Sequence, residues 1–252
     1  MYYYIMETAG KKTAVWQEKV KDILGDLGIA GETVAPSPAR TIEELAQLGV
    51  VKGYNTIVAV GSQKLLNKVA SVIINQKENR DIVLGFVPED FTGSVAKKIN
   101  VKDTQEACLA LKQRRLETID ACMVEPNKFF ITEATIENSQ AVDIYLTIDS
   151  LKAGLPANKI TIKPGIALYV SDFSIKPKNK GFLSFLFGKK TEETSDIYSS
   201  FFQCETLRVD SVDEILSIKA DDEIITKTPA IFHNRPKALK LIVSRDIINS
   251  KE

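Results

Sequence analysis

Histidine occurs once in the 252 residues, at His233, and cysteine three times, at Cys108, Cys122 and Cys204. With no second histidine and no C-x-x-C spacing, the ligand set of a zinc-type centre is missing, and no metal site is expected. An odd number of scattered cysteines reads as reduced, buried thiols rather than a disulfide framework. Charge of one sign is also lacking, because 33 Lys and Arg balance 33 Asp and Glu. No global basic field therefore exists to draw in nucleic acid. No apolar run approaches the roughly 20 residues of a membrane-spanning helix. The opening MYYYIMETAGKK has no basic region ahead of an apolar stretch, so no secretory signal is expected. The expected location is cytoplasmic, with contact to the inner face of the membrane left open. What remains is ordinary for a soluble globular chain: 44% apolar and 26% charged residues.

The first half alternates two periodicities. Tyr2–Met6 is a short β-type run, and Trp16, Val20, Ile23, Leu24 and Leu27 then fall on one helical face, with Gly28 placed to end it. Thr41 can cap a helix carrying Ile42, Leu45, Ala46 and Gly49. Thr56–Val60 and Ile82–Val87 are continuously apolar, as strands buried on both faces should be. Lys64–Asn75 reads as the helix between them, and Asp103 with Glu106 forms a capping box for a helix ending near Arg115. Strands separated by helices predict a parallel sheet with helices on its faces.

The second half changes character. Phe129–Ile136, Ala141–Ile148, Lys159–Ile162, Ala167–Ile175, Tyr198–Val209, Glu214–Ile218 and Ala238–Val243 are β-type runs, most separated by turn residues. The expected architecture is an α/β domain over residues 1–122 followed by an antiparallel, sandwich-like β domain over 123–252. The final strand is a candidate to return to the first domain.

The unit Gly53–Val69 carries a resemblance. Gly53, Tyr54, Ile57, Val58, Val60, Gly61, Leu66, Asn67 and Val69 match the strand, loop and helix that hold the Gly-Gly-Asp-Gly-Thr motif of diacylglycerol kinases and related bacterial lipid kinases. Upstream, Gly10 and Lys11 match the family's opening Asn-Pro-x-x-Gly-Lys turn, with Met6 and Glu7 in place of Asn and Pro. Gly85, Pro88 and Ala96 match the second family loop. Asp221 and Glu223 match the family's C-terminal Asp-Gly-Glu segment, and Pro229, Pro236, Ala238 and Leu239 match the stretch downstream of that segment. The chain therefore resembles a divergent member of that family. The resemblance implies a nucleotide-kinase-like α/β domain, a β domain, and ATP with Mg²⁺ as cofactors if the chain is active.

The chemistry is eroded. Glycines in such a loop let backbone N–H groups approach a triphosphate and adopt φ > 0. Here the loop is Gly61-Ser62-Gln63-Lys64-Leu65, so Gln63 replaces the loop aspartate and side chains stand where bare backbone is wanted. Glu89 and Asp90 bring carboxylates to the second loop, where like charge repels phosphate. Gly10, Lys11, Gly61, Ser62, Lys64 and Asn67 are the candidate nucleotide-binding residues. Lys64 near a helix N-terminus either binds an anion or stands in solvent. The resemblance makes Asp221 the candidate general base for a lipid hydroxyl, which requires it to face the interdomain cleft. The other reading is a polar turn of Asp221 and Asp222.

One further segment stands out. Between Lys176 and Lys190, five lysines bracket Phe182, Leu183, Phe185, Leu186 and Phe187. Lysines with apolar side chains suit an anionic membrane surface or a protein partner, with Lys189 and Lys190 among the contacts. The same composition also fits a buried element with solvated ends. Three functions compete: a kinase homologue without phosphotransfer that binds or regulates at the membrane surface, an active ATP-dependent lipid kinase, and a cleft-binding protein for another lipid or small anion. The lost groups are the chemically necessary ones, which favours the first.

Overall fold

The computed structural model of the chain describes residues 1–8, 10–76, 81–172, 198–212, 214–221 and 223–244, with the backbone alone at 11, 167–172 and 198–202. The N-terminal part runs β1 (Tyr2–Met6), α1 (Lys11–Asp26), β2 (Glu32–Val34), α2 (Ile42–Val51), β3 (Thr56–Gly61), α3 (Gln63–Ile74), β4 (Val83–Pro88), α4 (Ser94–Lys98) and α5 (Thr104–Gln113). Its strands are parallel in the order β2-β1-β3-β4. All residues of β3 and β4 are buried, the reason these runs are continuously apolar. Helix α2 starts on the full capping box of Thr41 and Glu44, and Ser62 and Asp103 cap α3 and α5. Gly85 is demanded by packing, since a Cβ there would lie 2.5 Å from Leu111 and 3.0 Å from Val58.

The chain then crosses into antiparallel structure through β5 (Arg115–Val124), a strand not separable in sequence from the end of α5. It is followed by β6 (Lys128–Phe130), β7 (Ala134–Ile148), β8 (Leu151–Lys163), β9 (Ala167–Asp172), β10 (Tyr198–Gln203), β11 (Thr206–Ser211), β12 (Ser217–Ala220), β13 (Glu223–Lys227) and β14 (Ala230–Val243). The expected breaks at 137–140 and before Lys159 are absent. Instead β7 and β8 form one long hairpin whose register shifts between Glu137 and Val142. A bulge absorbs the polar stretch Asn138–Gln140 without ending the strand. The run expected from Tyr198 to Val209 is cut at Cys204 and Glu205 into β10 and β11, and β13 was not foreseen.

Strand β14 joins the two parts. Its first half pairs with β11, and Lys240 and Leu241 pair in parallel with Val83 and Leu84 of β4. It pairs with β5 from Phe232 to Val243, across a register shift between Arg235 and Leu239. The result is one continuous mixed sheet, parallel with flanking helices at one end and antiparallel at the other. Two apolar cores lie along it. Leu239, Leu241 and Val243 enter the core with Ile5, Val58 and Leu66, while Phe232 enters the other with Phe130, Ile144 and Leu207. The three cysteines are free and buried; burial pushes the Cys108 thiol up to about 12 and Cys204 up to about 11.

Candidate functional site

Strand β1 continues to β2 on one side of the sheet and lies beside β3 on the other, so the order reverses between β1 and β3. In open α/β sheets that reversal opens a crevice at the carboxyl ends of the strands, where ligands bind. Glu7 follows β1 here, Gly61 ends β3, and Ser62 links it to α3. The Glu7 carboxylate turns into the crevice. It accepts the Ser62 backbone N–H at 2.6 Å on Oε2 and the Ser62 hydroxyl at 2.9 Å on Oε1. The Ser62 hydroxyl oxygen in turn accepts the Leu65 N–H at 3.3 Å, capping α3. Gly61 has φ +147°, and a Cβ there would lie 2.6 Å from Glu7 Oε2. The one glycine kept from the motif thus makes room for a carboxylate of the same chain. The Glu7 backbone is held on both sides, its N–H to the Val60 carbonyl at 3.1 Å and its carbonyl to Gln17 Nε2 at 2.8 Å.

The second loop closes the same end of the sheet. The Glu89 N–H donates to the Gly61 carbonyl at 3.0 Å, and the Glu89 carboxylate accepts the Thr13 hydroxyl at 3.0 Å. Asp90 accepts the Thr92 N–H at 2.8 Å and its hydroxyl. These bonds hold the Asp90 carboxyl below the usual range. Gly10 is the extended residue before α1 and its carbonyl accepts the Ala14 N–H. The side chain of Lys11 lies outside the described residues.

A second polar cluster sits deeper, where the parallel and antiparallel parts meet. Gln63 Nε2 donates to the Ser94 hydroxyl at 2.9 Å and to the Asp221 carbonyl at 2.5 Å. The Thr132 hydroxyl donates to Asp221 Oδ1 and lies 3.0 Å from Ser94 Oγ, whose hydroxyl it can accept. Asp221 is 1% exposed. Its carboxylate accepts the N–H groups of Ile131 at 2.9 Å and Thr132 at 2.8 Å, and its own N–H donates to the Glu133 carbonyl. Burial raises its pKa above the ordinary 3.8, against the lowering effect of these donors. The Asp221 carboxylate is thus bonded within the chain and nearly closed off from solvent. The carboxylate points inward and its acceptor sites are spent on the loop between β6 and β7. Its φ of +47° fits the turn reading; Asp222 lies outside the described residues.

Lys64 forms an ion pair with Glu223 at 3.2 Å, with both side chains substantially exposed. Asn67 lies on the wall of a groove of about 570 Å³ between α2 and α3 on one side and β6 and β13 on the other, and its Oδ1 is buried with no partner among the described residues. His233 bonds Glu125 at 2.8 Å. Among the described residues no cluster of His, Cys, Asp and Glu could hold a metal ion, and no helix is long and apolar enough to cross a membrane. Phe182, Leu183, Phe185, Leu186, Phe187, Lys189 and Lys190 lie outside the described residues. The structure thus brings Gly61 and Ser62 together with Glu7, and Gln63 together with Asp221. Glu7, Ser94 and Thr132 were not singled out from sequence. Glu7 had one readable sign, a carboxylate directly after β1 in a chain whose β3 ends in glycine.

No protein-family model and no curated protein matches the chain in sequence. Solved structures match it in fold. A diacylglycerol kinase of Bacillus anthracis str. Sterne superposes with a TM-score of 0.70 at 11% identity, covering 98% of both chains. Two more structures from that organism carry a provisional diacylglycerol kinase description. One has a TM-score of 0.73 at 10% identity over 98% of both chains. The other has 0.71 at 11% identity over 96% of this chain and 97% of its own. The chain has the two-part fold of these kinase-like structures over nearly its full length.

Proposed function

We propose that this chain is a lipid-kinase-fold protein without phosphotransfer, serving as a binding or regulatory module at a membrane surface. The observation that carries the reading is the cluster of half-buried Gln63, Ser94 and Thr132 around the buried Asp221. The two positions where the resembled family places acids hold an amide and a carboxylate that are already bonded within the chain. A general base must reach the proton it takes, and a carboxylate with two backbone N–H groups and a hydroxyl on it, 1% exposed, does not. The residues present do not fit a triphosphate either, because Glu7, Glu89 and Asp90 place negative charge around the loop ends. Like charges about 5 Å apart repel by roughly a kcal/mol even when well screened.

The membrane half of the proposal rests on composition, the five lysines around Phe182–Phe187. The lysines add about 1 kcal/mol each near an anionic surface, and partial insertion of the phenylalanines adds to this. Calorimetric titration with ATP, with and without Mg²⁺, should give no binding heat, and diacylglycerol micelles with labelled ATP should yield no phosphorylated lipid. Product formed in proportion to purified wild-type protein overturns the first half. Co-sedimentation with anionic liposomes, lost at high salt and in Phe182→Ser, Phe185→Ser, Phe187→Ser, tests the second.

A further inference from the structure

We infer that Gln63 is a latch: its side-chain amide holds the parallel and antiparallel parts closed on each other, opposite a hinge where β5 and β14 cross between them. This property is independent of whether phosphate is transferred.

The hinge is visible in the backbone. Among the described residues, the strands that run from one part into the other are β5 and β14, and they pair with each other. Ile119 and Ala121 of β5 enter the core of the parallel part, whereas Cys122 and Val124 enter the other core. In β14 the change falls between Phe232 and Leu239. The register shift from Arg235 to Leu239 lies in that same interval, with Lys237 at φ +51°. Such a bulge interrupts the ladder and bends the strand. The ladder that carries both crossings is therefore broken where one core gives way to the other.

The latch lies on the seam where α3 and α4 meet the turn between β12 and β13. Gln63 Nε2 donates to the Ser94 hydroxyl on α4 at 2.9 Å and to the Asp221 carbonyl in the turn at 2.5 Å. Its Oε1 lies 3.5 Å from the Val95 nitrogen. One amide thus ties two helices of the parallel part to the antiparallel part. The Asp221 carbonyl only accepts, so the group that faces it must donate. An amide nitrogen has two N–H groups and serves Ser94 and Asp221 together. A carboxylate only accepts, and would set its oxygen against the carbonyl. Apolar contact also crosses the seam, since Phe129 and Ile131 enter the core of the parallel part. Apolar burial is non-directional and tolerates a tilt between the parts. The amide bonds hold at one separation and angle, so they select one arrangement. The exposed pair of Lys64 and Glu223 adds little at the rim.

The test compares the full chain with its Gln63→Ala and Gln63→Glu variants, by amide hydrogen exchange and by the distance between two nitroxide labels. The labels sit at Val51→Cys on α2 and Lys219→Cys on β12, both exposed positions, while the native thiols are buried. With Gln63 in place the label distance should be single and narrow. Gln63→Ala should broaden it and speed exchange of the Ile131 and Thr132 N–H groups at the seam by about tenfold, through local opening. Gln63→Glu should do more, because an oxygen then faces the Asp221 carbonyl. The N–H groups of β3 should stay protected in both variants, since a hinge leaves the parallel core intact. Equal distances and exchange in all three chains, or a smaller effect for Gln63→Glu than for Gln63→Ala, overturn the inference. So does loss of protection in β3 together with the seam. If Gln63→Glu does not fold, Thr132→Val cuts the cluster from the other side and should match Gln63→Ala; unchanged seam exchange in it overturns the latch. Lipid phosphorylation by wild type would instead count against the proposed function and leave the latch standing, so the two failures are separable.

Discussion

The two polar clusters occupy neighbouring positions in the fold yet are closed by different means. At the ends of β1 and β3, a partly exposed carboxylate, Glu7, meets donors that water could otherwise serve. At the junction of the two parts, Asp221 is sealed from solvent and shares its bonds with Thr132, Ile131 and, through its carbonyl, Gln63. The difference predicts that the outer cluster contributes less to stability than the inner one.

The largest effect is expected at Asp221. Asp221→Ala strips the acceptor from two backbone N–H groups and a hydroxyl in a closed space, and should cost about 3–5 kcal/mol in urea unfolding. A loss under about 1 kcal/mol would mean that the carboxylate is exposed after all, which would revive its role as a base. The pH dependence sharpens the same point. The folded-state pKa of Asp221 lies above its ordinary 3.8, so the folded chain binds this proton more tightly than the unfolded one. Its contribution is therefore fully present below the unfolded pKa and lost as pH rises through the folded pKa. The stability difference between wild type and Asp221→Asn should fall over that window and then level off. A difference that grows with pH would show that the N–H donors dominate over burial.

At the outer cluster, Glu7→Ala should cost only about 1–2 kcal/mol, the range of a hydrogen-bonded charge that water can partly replace. For a chain of this size that lowers the melting temperature by roughly 2–8 °C. A cost equal to that of Asp221→Ala would erase the distinction between the clusters. The smallest effect belongs to Lys64 and Glu223. Their exposed pair at 3.2 Å should show a coupling energy of about 1 kcal/mol or less in a double-mutant cycle, falling as salt is added.

Much of the fold was legible because burial leaves a periodic trace. Ile57–Val60 and Ile82–Val87 carry no polar side chain since both faces of β3 and β4 are covered, and Thr41 and Asp103 mark helix starts by chemistry that needs no neighbours. The long strands were harder. Nothing local in Glu137–Val142 distinguishes a bulge from a loop, because the hydrogen bonds that keep β7 continuous come from β8. The inner cluster was only half visible. Gln63 and Asp221 were noticed as departures and matches in a motif, but they are 158 positions apart, and whether a carboxylate faces a cleft or a backbone loop depends on what packs over it.

By itself the sequence determined the alternation of strand and helix, the change to antiparallel structure, and the residues Ser62, Gln63 and Lys64 in the turn after β3. These rest on local properties: the period of apolar residues, the caps, and the chemical identity of single side chains. Only the tertiary structure decided that Glu7 lies on the Ser62 N–H, that Gly61 survives to admit it, and that Asp221 is turned inward. Each is a meeting between residues brought together by the order of strands in the sheet, and hydrogen bonding fixes such meetings only once both partners are in place.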